Sequence, residues 1–223
     1  MIQIPFIQHE LSFPPIETAT PEGLLAYGGD LSSSRLLLAY KSGIFPWFNI
    51  DDPILWWSPD PRFVLFLDEF ILRKSLKKRM KHFEIRYNTA FKEVIQECGN
   101  IPREGQEGSW IIPSIVEAYS ALHDMGYAHS IEAWQEGKLV GGLYGVMIGK
   151  MFFGESMFAK VNDASKVAFA DLVNRLKELG CEMIDCQVPT QHLKSLGARE
   201  ISREEFMREL RSKIDDEVNL SLK

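Results

Sequence analysis

Leu139-Val140-Gly141-Gly142-Leu143-Tyr144-Gly145-Val146-Met147-Ile148-Gly149-Lys150-Met151-Phe152-Phe153-Gly154-Glu155-Ser156-Met157-Phe158 reads as two apolar strands, 138–147 and 150–158. Gly149-Lys150 joins them by a turn short enough for an antiparallel hairpin. A single carboxylate, Glu155, stands near its end, and a charge in such apolar surroundings demands a partner. Further on, Ile184-Asp185-Cys186-Gln187-Val188 has the look of a strand. Strand alternation would send Asp185 and Gln187 to one face and Ile184, Cys186 and Val188 to the other.

Outward from this hairpin the chain alternates between strands and helices. Upstream, strands are expected at 63–67, 83–87 and 128–135, the last joined to 138–147 through Glu136-Gly137. Helices are expected at 69–81, at 89–98 behind Asn88, and at 113–125 ended by Gly126. Downstream, Asp163 can cap a helix from Ala164 to Leu179 that Gly180 stops, and strand 182–188 returns to the sheet. Short helices at 190–196 and 203–213 follow, and the tail from Asp215 onward is expected to be loose. The N-terminal stretch differs, being rich in Pro, Gly and aromatics, with one helix from Ser32 to Lys41 and a turn at Gly43-Ile44-Phe45-Pro46-Trp47-Phe48. The expected fold is α+β: a small N-terminal domain, 1–61, then a catalytic domain, 62–223, with a mixed, mostly antiparallel sheet flanked by helices.

Composition excludes several classes. The chain has 223 residues, 45% of them hydrophobic and 25% charged, ordinary for a globular enzyme. No apolar run approaches the roughly 18 residues a membrane span needs. Met1-Ile2-Gln3-Ile4-Pro5 lacks the cationic start of an export signal, so a cytoplasmic location is expected. Cys98, Cys181 and Cys186 form no Cys-x-x-Cys pair, and with His192 they match no common metal spacing. Neither a metal nor a cofactor is expected, and the thiols read as small buried side chains.

Antiparallel strands, a long helix, another strand, and then His192-Leu193-Lys194-Ser195-Leu196-Gly197-Ala198 make the second part similar to the Gcn5-related N-acetyltransferase architecture. Coenzyme-A-dependent members carry a Gly-rich pyrophosphate loop before the long helix. Here that place reads Phe158-Ala159-Lys160-Val161-Asn162-Asp163-Ala164, which argues against an acyl-CoA donor.

The distribution of positive charge points to a different donor. Although the net charge is −6, Arg73, Lys74, Lys77, Lys78, Arg79 and Lys81 lie within nine residues that contain no acid. Leu72, Leu76 and Met80 would form the inward stripe of that helix, leaving most cations outward. The face is either simply solvated or a docking surface for a polyanion such as tRNA backbone.

Six blocks, taken in order, carry a more specific resemblance: Gly23-Leu24-Leu25-Ala26-Tyr27-Gly28-Gly29-Asp30-Leu31, Gly43-Ile44-Phe45-Pro46-Trp47-Phe48, Ile54-Leu55-Trp56-Trp57-Ser58-Pro59-Asp60-Pro61-Arg62, Ala128-His129-Ser130-Ile131-Glu132, Phe153-Gly154-Glu155-Ser156-Met157-Phe158 and Ile184-Asp185-Cys186-Gln187. Together they resemble the leucyl/phenylalanyl-tRNA–protein transferase family, from about residue 10 to about residue 210. The chain departs from the family's usual Gly-Glu-Ser-Met-Phe-Ser at Ala159. The resemblance implies transfer of leucine or phenylalanine, with methionine a further candidate, from aminoacyl-tRNA to the α-amino group of proteins beginning with Arg or Lys. The product would carry a new N-terminal residue that serves as a degradation signal.

Aminolysis of an aminoacyl ester is downhill, so such an enzyme mainly aligns an amine and manages a proton. Gln187 is too weak a base, but its oxygen can accept a hydrogen bond from the amine. Asp185 can support Gln187 or take the proton itself, and transfer through the terminal ribose is a further route. Glu155 would face a substrate cation, either the aminoacyl ammonium or the acceptor's basic side chain, unless an internal Lys or Arg pairs with it. A Leu/Phe slot would be walled by Leu143, Phe152, Met157, Phe169, Leu172 and Ile184. Trp47 and Trp110 sit in loops, where they would stack on the terminal adenine or pack at the domain junction, and Trp56 and Trp57 read as junction core. Two other readings predict different behaviour: an acyltransferase for small amines would need no tRNA, and a non-catalytic tRNA-binding module would retain charged tRNA without turnover.

Overall fold

A computed structural model describes residues 4–101, 109–214 and 222. The N-terminal stretch forms a four-stranded sheet from β1 (Phe6–Ile7), β2 (Leu24–Gly28), β3 (Phe45–Pro46) and β4 (Leu55–Trp57), in the order β1-β2-β4-β3. Pro46 lies on edge strand β3, where a missing N–H costs no ladder bond. Helix α1 (Ser33–Lys41) crosses between β2 and β3, with the Ser32 hydroxyl accepting from Arg35 N–H at 3.4 Å. The sequence pattern revealed α1 but not these strands, which are too short to show a period.

The remaining elements are β5 (Arg62–Phe66), α2 (Lys74–Met80), β6 (Glu84–Tyr87), α3 (Phe91–Asn100), α4 (Pro113–Asp124), β7 (Ala128–Gln135), β8 (Lys138–Ile148) and β9 (Met151–Ala159). They continue through α5 (Ala164–Glu178), β10 (Met183–Gln187), α6 (Gln191–Lys194), β11 (Arg199–Ile201) and α7 (Arg203–Ile214). Seven strands form one sheet in the order β11-β5-β10-β9-β8-β7-β6. Among the described strands of this sheet only β9 and β10 are parallel, and α5 is the crossover that a parallel pair requires. Glu136 and Gly137 both have positive φ, 49° and 73°, which makes the β7–β8 connection the tight hairpin expected.

Two departures from the expected elements have tertiary causes. The helix expected over 69–81 begins only at Lys74, because Ile71 N–H donates to Leu196 C=O at 2.9 Å and Arg73 stays extended. Strand β11, three residues long and without a sequence period to announce it, joins the sheet by pairing with β5. Most of the tail lies outside the described residues, but Leu222 is fully buried and its carbonyl accepts from the Asn88 amide.

Alternation along β8 and β9 separates two apolar layers. Tyr144, Val146 and Phe153 face one layer with α3, α4, α7, Tyr40 of α1 and the small sheet's Leu25 and Trp56. Leu143 and Phe152 face the other, with the α5 residues Ala168, Phe169, Leu172 and Val173. The block 128–132 serves the scaffold. Glu132 accepts from the backbone N–H groups of Thr89 and Ala90 at 2.9 and 2.8 Å, capping α3 where Ala90 has no side chain to do so.

Candidate active site

The parallel pair is in register at Met183↔Met151, Ile184↔Phe152 and Asp185↔Phe153, and the pairing ends there. Strand β9 runs on along β8 to Ala159 while β10 parts from it and stays with β5, and a cavity of about 400 Å³ occupies the opening. Leu143, Phe152, Met157, Phe169 and Ile184 line it, as do Trp47, Trp110, Glu155 and Gln187. Leu172 does not. Three residues beyond Phe169 on α5, it is fully buried in the layer beneath, so it is core rather than wall.

Two β-bulges aim the polar groups. On β9 the register steps from Ser156↔Tyr144 to Gly154↔Gly145, leaving Glu155 as the extra residue. Gly145 has no room for a side chain: a Cβ there would lie 2.3 Å from Phe153 C=O. Glu155 Oε1 accepts from Tyr40 Oη at 2.8 Å and Gln187 Nε2 at 3.0 Å, and Oε2 accepts from Tyr119 Oη at 3.2 Å. The two tyrosine hydroxyls also touch one another. Burial pushes the Glu155 carboxyl up to about 7; the Asp185 charge adds to this, while the two tyrosines and Gln187 pull it back. Burial and the facing carboxylate hold both phenols well above their ordinary range, so they remain donors.

The second bulge lies on β10, where pairing with β5 steps from Asp185↔Val64 to Gln187↔Phe63 and leaves Cys186 as the extra residue. Gln187 takes φ 65°, a left-handed conformation uncommon for a side-chain-bearing residue and typical of functional sites. Asp185 Oδ1 holds it there by accepting Gln187 N–H at 2.9 Å. The bulge overturns the alternation expected from the sequence. Asp185 turns away from the cavity, while Ile184, Cys186, Gln187 and Val188 all line it.

On its own side of the sheet Asp185 meets Arg62 in a bidentate pair, with Nε–Oδ1 at 2.9 Å and Nη2–Oδ2 at 2.7 Å. Asp185 and Arg62 are 0% and 1% exposed. The guanidinium is held between the Phe45 and Phe206 rings, 4.7 and 4.5 Å from their centroids, and Nη1 donates to Gly43 C=O. Asp185 therefore reaches Gln187 through its backbone, in a geometry that holds the strand rather than one that receives a substrate proton.

Around the rim, Trp47 is half-buried beside Trp57, with ring centroids 5.8 Å apart and its carbonyl accepting the Trp57 indole N–H. Trp56 is fully buried, whereas Trp57, read as core with it, is only half-buried. The α2 cations Arg73, Lys74, Lys77, Lys78, Arg79 and Lys81 are exposed. Arg79 also anchors the helix, pairing with Asp163 at 3.0 Å and donating to Asn162 C=O. A smaller cleft lined by Arg73, Ser75, Lys166 and Ser195 lies where α2 meets the α5 and α6 segments that border the main cavity. Among the described residues no three His, Cys, Asp or Glu side chains gather to hold a metal ion, and no helix is long and apolar enough to cross a membrane.

Several site residues escaped the sequence reading. Tyr40 and Tyr119 sit on the buried faces of α1 and α4, where their only signal is a hydroxyl on an apolar stripe. Arg62 has no local signal of its role, because its partner is 123 positions away. His192 lines the cavity with a buried, unpartnered Nε2.

Comparison with known proteins gives two family matches: leucyl/phenylalanyl-tRNA protein transferase over residues 64–211, and the N-terminal domain of the same transferase over residues 29–60. Relatives named leucyl/phenylalanyl-tRNA–protein transferase include that of Sulfurimonas denitrificans, 57% identical over 201 residues, covering 90% of this chain and 88% of that one. Another, from Flavobacterium johnsoniae, is 56% identical over 210 residues, covering 93% and 99%. The Nitrosospira multiformis protein is 55% identical over 216 residues, covering 95% and 93%. Solved structures are far more distant. A conserved protein of unknown function from Staphylococcus epidermidis aligns with TM-score 0.44 at 8% identity, over 80% of this chain and 68% of that one. L-PGS from Bacillus licheniformis aligns with TM-score 0.36 at 13% identity, over 71% and 54%. At that distance neither carries an argument, and the fold stands as mixed α+β.

Proposed function

The chain belongs to the leucyl/phenylalanyl-tRNA protein transferase family, an aminoacyltransferase family moving an amino acid from tRNA to a protein, and from that premise we propose how its site works. The donor's leucyl or phenylalanyl side chain enters the cavity walled by Leu143, Phe152, Met157, Phe169 and Ile184. Its size supports this, since pockets of about 300–1,000 Å³ suit small ligands. Met157 gives the wall some tolerance of shape, enough to admit methionine more weakly. Trp47 and Trp110, both on the lining, stack on the terminal adenine, and Arg73, Lys74, Lys77, Lys78 and Lys81 meet the tRNA backbone, with Arg79 fixing their helix. Asp163 puts a carboxylate at the start of α5, where a pyrophosphate would have to sit, which supports RNA over coenzyme A as the carrier.

Gln187 aligns the attack. Its NH₂ group is occupied by Glu155, so its carbonyl oxygen is the atom free to accept an N–H of the incoming amine. The nitrogen lone pair then adds to the ester carbonyl, the C–N bond forms, the C–O bond to ribose breaks, and the amine proton leaves on the ribose oxygen. Asp185 and Arg62 are positioning residues that hold Gln187 in its left-handed conformation. Glu155 keeps one lone pair on Oε2 for the basic side chain of the acceptor.

The acceptor in this reading is a protein beginning with Arg or Lys, the product carries an N-terminal degradation signal, and the setting is cytoplasmic. Residues 1–61 and 62–223 act as two parts. The larger sheet is of the Gcn5-related type, a reading supported by its antiparallel run, the α5 crossover and the parallel β10. The observation that carries the proposal is the apolar cavity ending at the Gln187–Glu155 pair. Its test is transfer of labelled leucine from Leu-tRNA to a protein beginning with Arg, compared with one beginning with Ala. The expected result is labelling of the Arg protein alone, lost when the donor is first treated with ribonuclease and re-supplied as free leucine. Equal labelling of both acceptors, or labelling without RNA, would overturn it.

A further inference from the structure

Resting on the reading of Gln187 as the residue that orients the amine, we propose that Tyr40 and Tyr119 are positioning residues for the transfer. They hold the Glu155 carboxylate as a pure acceptor, and this fixes which end of the Gln187 amide faces the substrate.

An amide has two ends of nearly equal shape, and only its partners decide which points where. Here the partner is Glu155. As a carboxylate it can only accept, so it takes Gln187 Nε2–H at 3.0 Å and leaves the amide oxygen for the amine. Once protonated it becomes a donor. It can then bond the amide oxygen instead, and Gln187 would present an NH₂ group that offers the amine's N–H no acceptor.

The hydroxyl groups opposite bias this choice. Tyr40, from α1, and Tyr119, from α4, each donate to Glu155, one to each oxygen, and neither lines the cavity. They can therefore act on the reaction only through Glu155. The other groups near this carboxylate are Gln187 on β10 and Asp185 behind it, the latter neutralised by Arg62 of β5. Burial already pushes Glu155 up to about 7, so losing either phenolic donor should push it higher and leave less of the acceptor form at neutral pH. The triangle of oxygens is also short of protons: three oxygen–oxygen contacts share two phenolic hydrogens while Glu155 is ionised. A third hydrogen, on Glu155, would complete it, which is why proton occupancy here is finely balanced.

The test is the single-turnover transfer rate of Tyr40→Phe and Tyr119→Phe with saturating Phe-tRNA, from about pH 6 to about pH 9. Each rate is expressed as a ratio to wild type at the same pH, so that titration of the acceptor amine cancels. For a loss of roughly one pKa unit's worth of donor, the ratio should fall to about one-tenth at the acid end and climb towards one at the alkaline end. The donor KM should stay within about twofold. A ratio that is low but constant across pH, or equal to one throughout, would overturn the proposal.

Glu155→Gln supplies an independent reading if the phenylalanine variants fold poorly. Its rate, divided by that of wild type, should decline steadily as pH rises through about 7, because only wild type gains the acceptor form there. A flat ratio contradicts the proposal. If Gln187→Ala turns over as fast as wild type, the reading of Gln187 fails instead. If Gln187→Ala is slow while the tyrosine variants merely scale at every pH, this inference alone fails.

Discussion

Arg62 and Asp185 form a buried ion pair whose worth lies in what it prevents. Alone, either charge would be stranded in an apolar layer, and removing one partner of such a pair typically costs about 3–5 kcal/mol. Arg62→Ala should therefore lower unfolding stability by about that amount in urea titrations, and a loss below about 1 kcal/mol would argue that water reaches the pair instead. Glu155 makes a second prediction, with a definite sign. Its carboxyl is raised to about 7 from an ordinary value of 4.5, so the native state binds the proton more tightly than the unfolded chain. Relative to Glu155→Gln, wild type should be most favoured below about pH 4.5, lose ground as pH rises through about 7, and stay level above it. Parallel unfolding curves at pH 5 and 8 check this, and an unchanged difference between the two would contradict the buried, raised carboxyl.

Among the elements, the long ones were readable and the irregular ones were not. Strands β7, β8 and β9 and helix α5 carry enough residues for their periods to show, and the Gly punctuation around them fell where the chain turns, but Asp163 precedes α5 without capping it and pairs with Arg79 and Lys166 instead. The two bulges leave no comparable trace. A single extra residue at Glu155 or Cys186 changes which face the following side chains occupy, and nothing in the composition of either segment announces it. That is why the direction of Asp185 was not legible in the sequence. Helix α2 is a milder case, shortened by a backbone bond between Ile71 and Leu196 that is purely tertiary. Its exposed cations give a prediction at this scale. Changing Lys74, Lys77 and Lys78 to Gln should weaken tRNA binding and flatten the slope of log affinity against log salt by roughly 0.7–0.9 per cation lost. An unaltered slope would make α2 a solvated face.

Across the whole molecule, the small N-terminal sheet is part of the site rather than an appendage. It shares one apolar layer with the large sheet, and from it and α1 come Phe45 against Arg62, Trp47 on the cavity rim and Tyr40 on Glu155. The sequence separated the two parts near residue 61 and assigned the chemistry to the second, with only Trp47 contributed by the first. Long-range partners such as Tyr40 and Glu155, 115 positions apart, leave no local signature. The arrangement opens the parallel pair β9–β10 into a cavity and closes its polar end with helices from both parts.

The central claim is that Gln187, held at the end of an apolar slot, aligns the acceptor amine with an aminoacyl ester carried on tRNA. Its most direct test is the single-turnover rate of labelled phenylalanine transfer from Phe-tRNA to a protein beginning with Arg, for wild type and Gln187→Ala at saturating donor. The account predicts a rate lower by about 10²-fold or more in the variant, with Phe-tRNA affinity and unfolding stability nearly unchanged. A variant that transfers at the wild-type rate, or one that loses donor binding in proportion to rate, would contradict it.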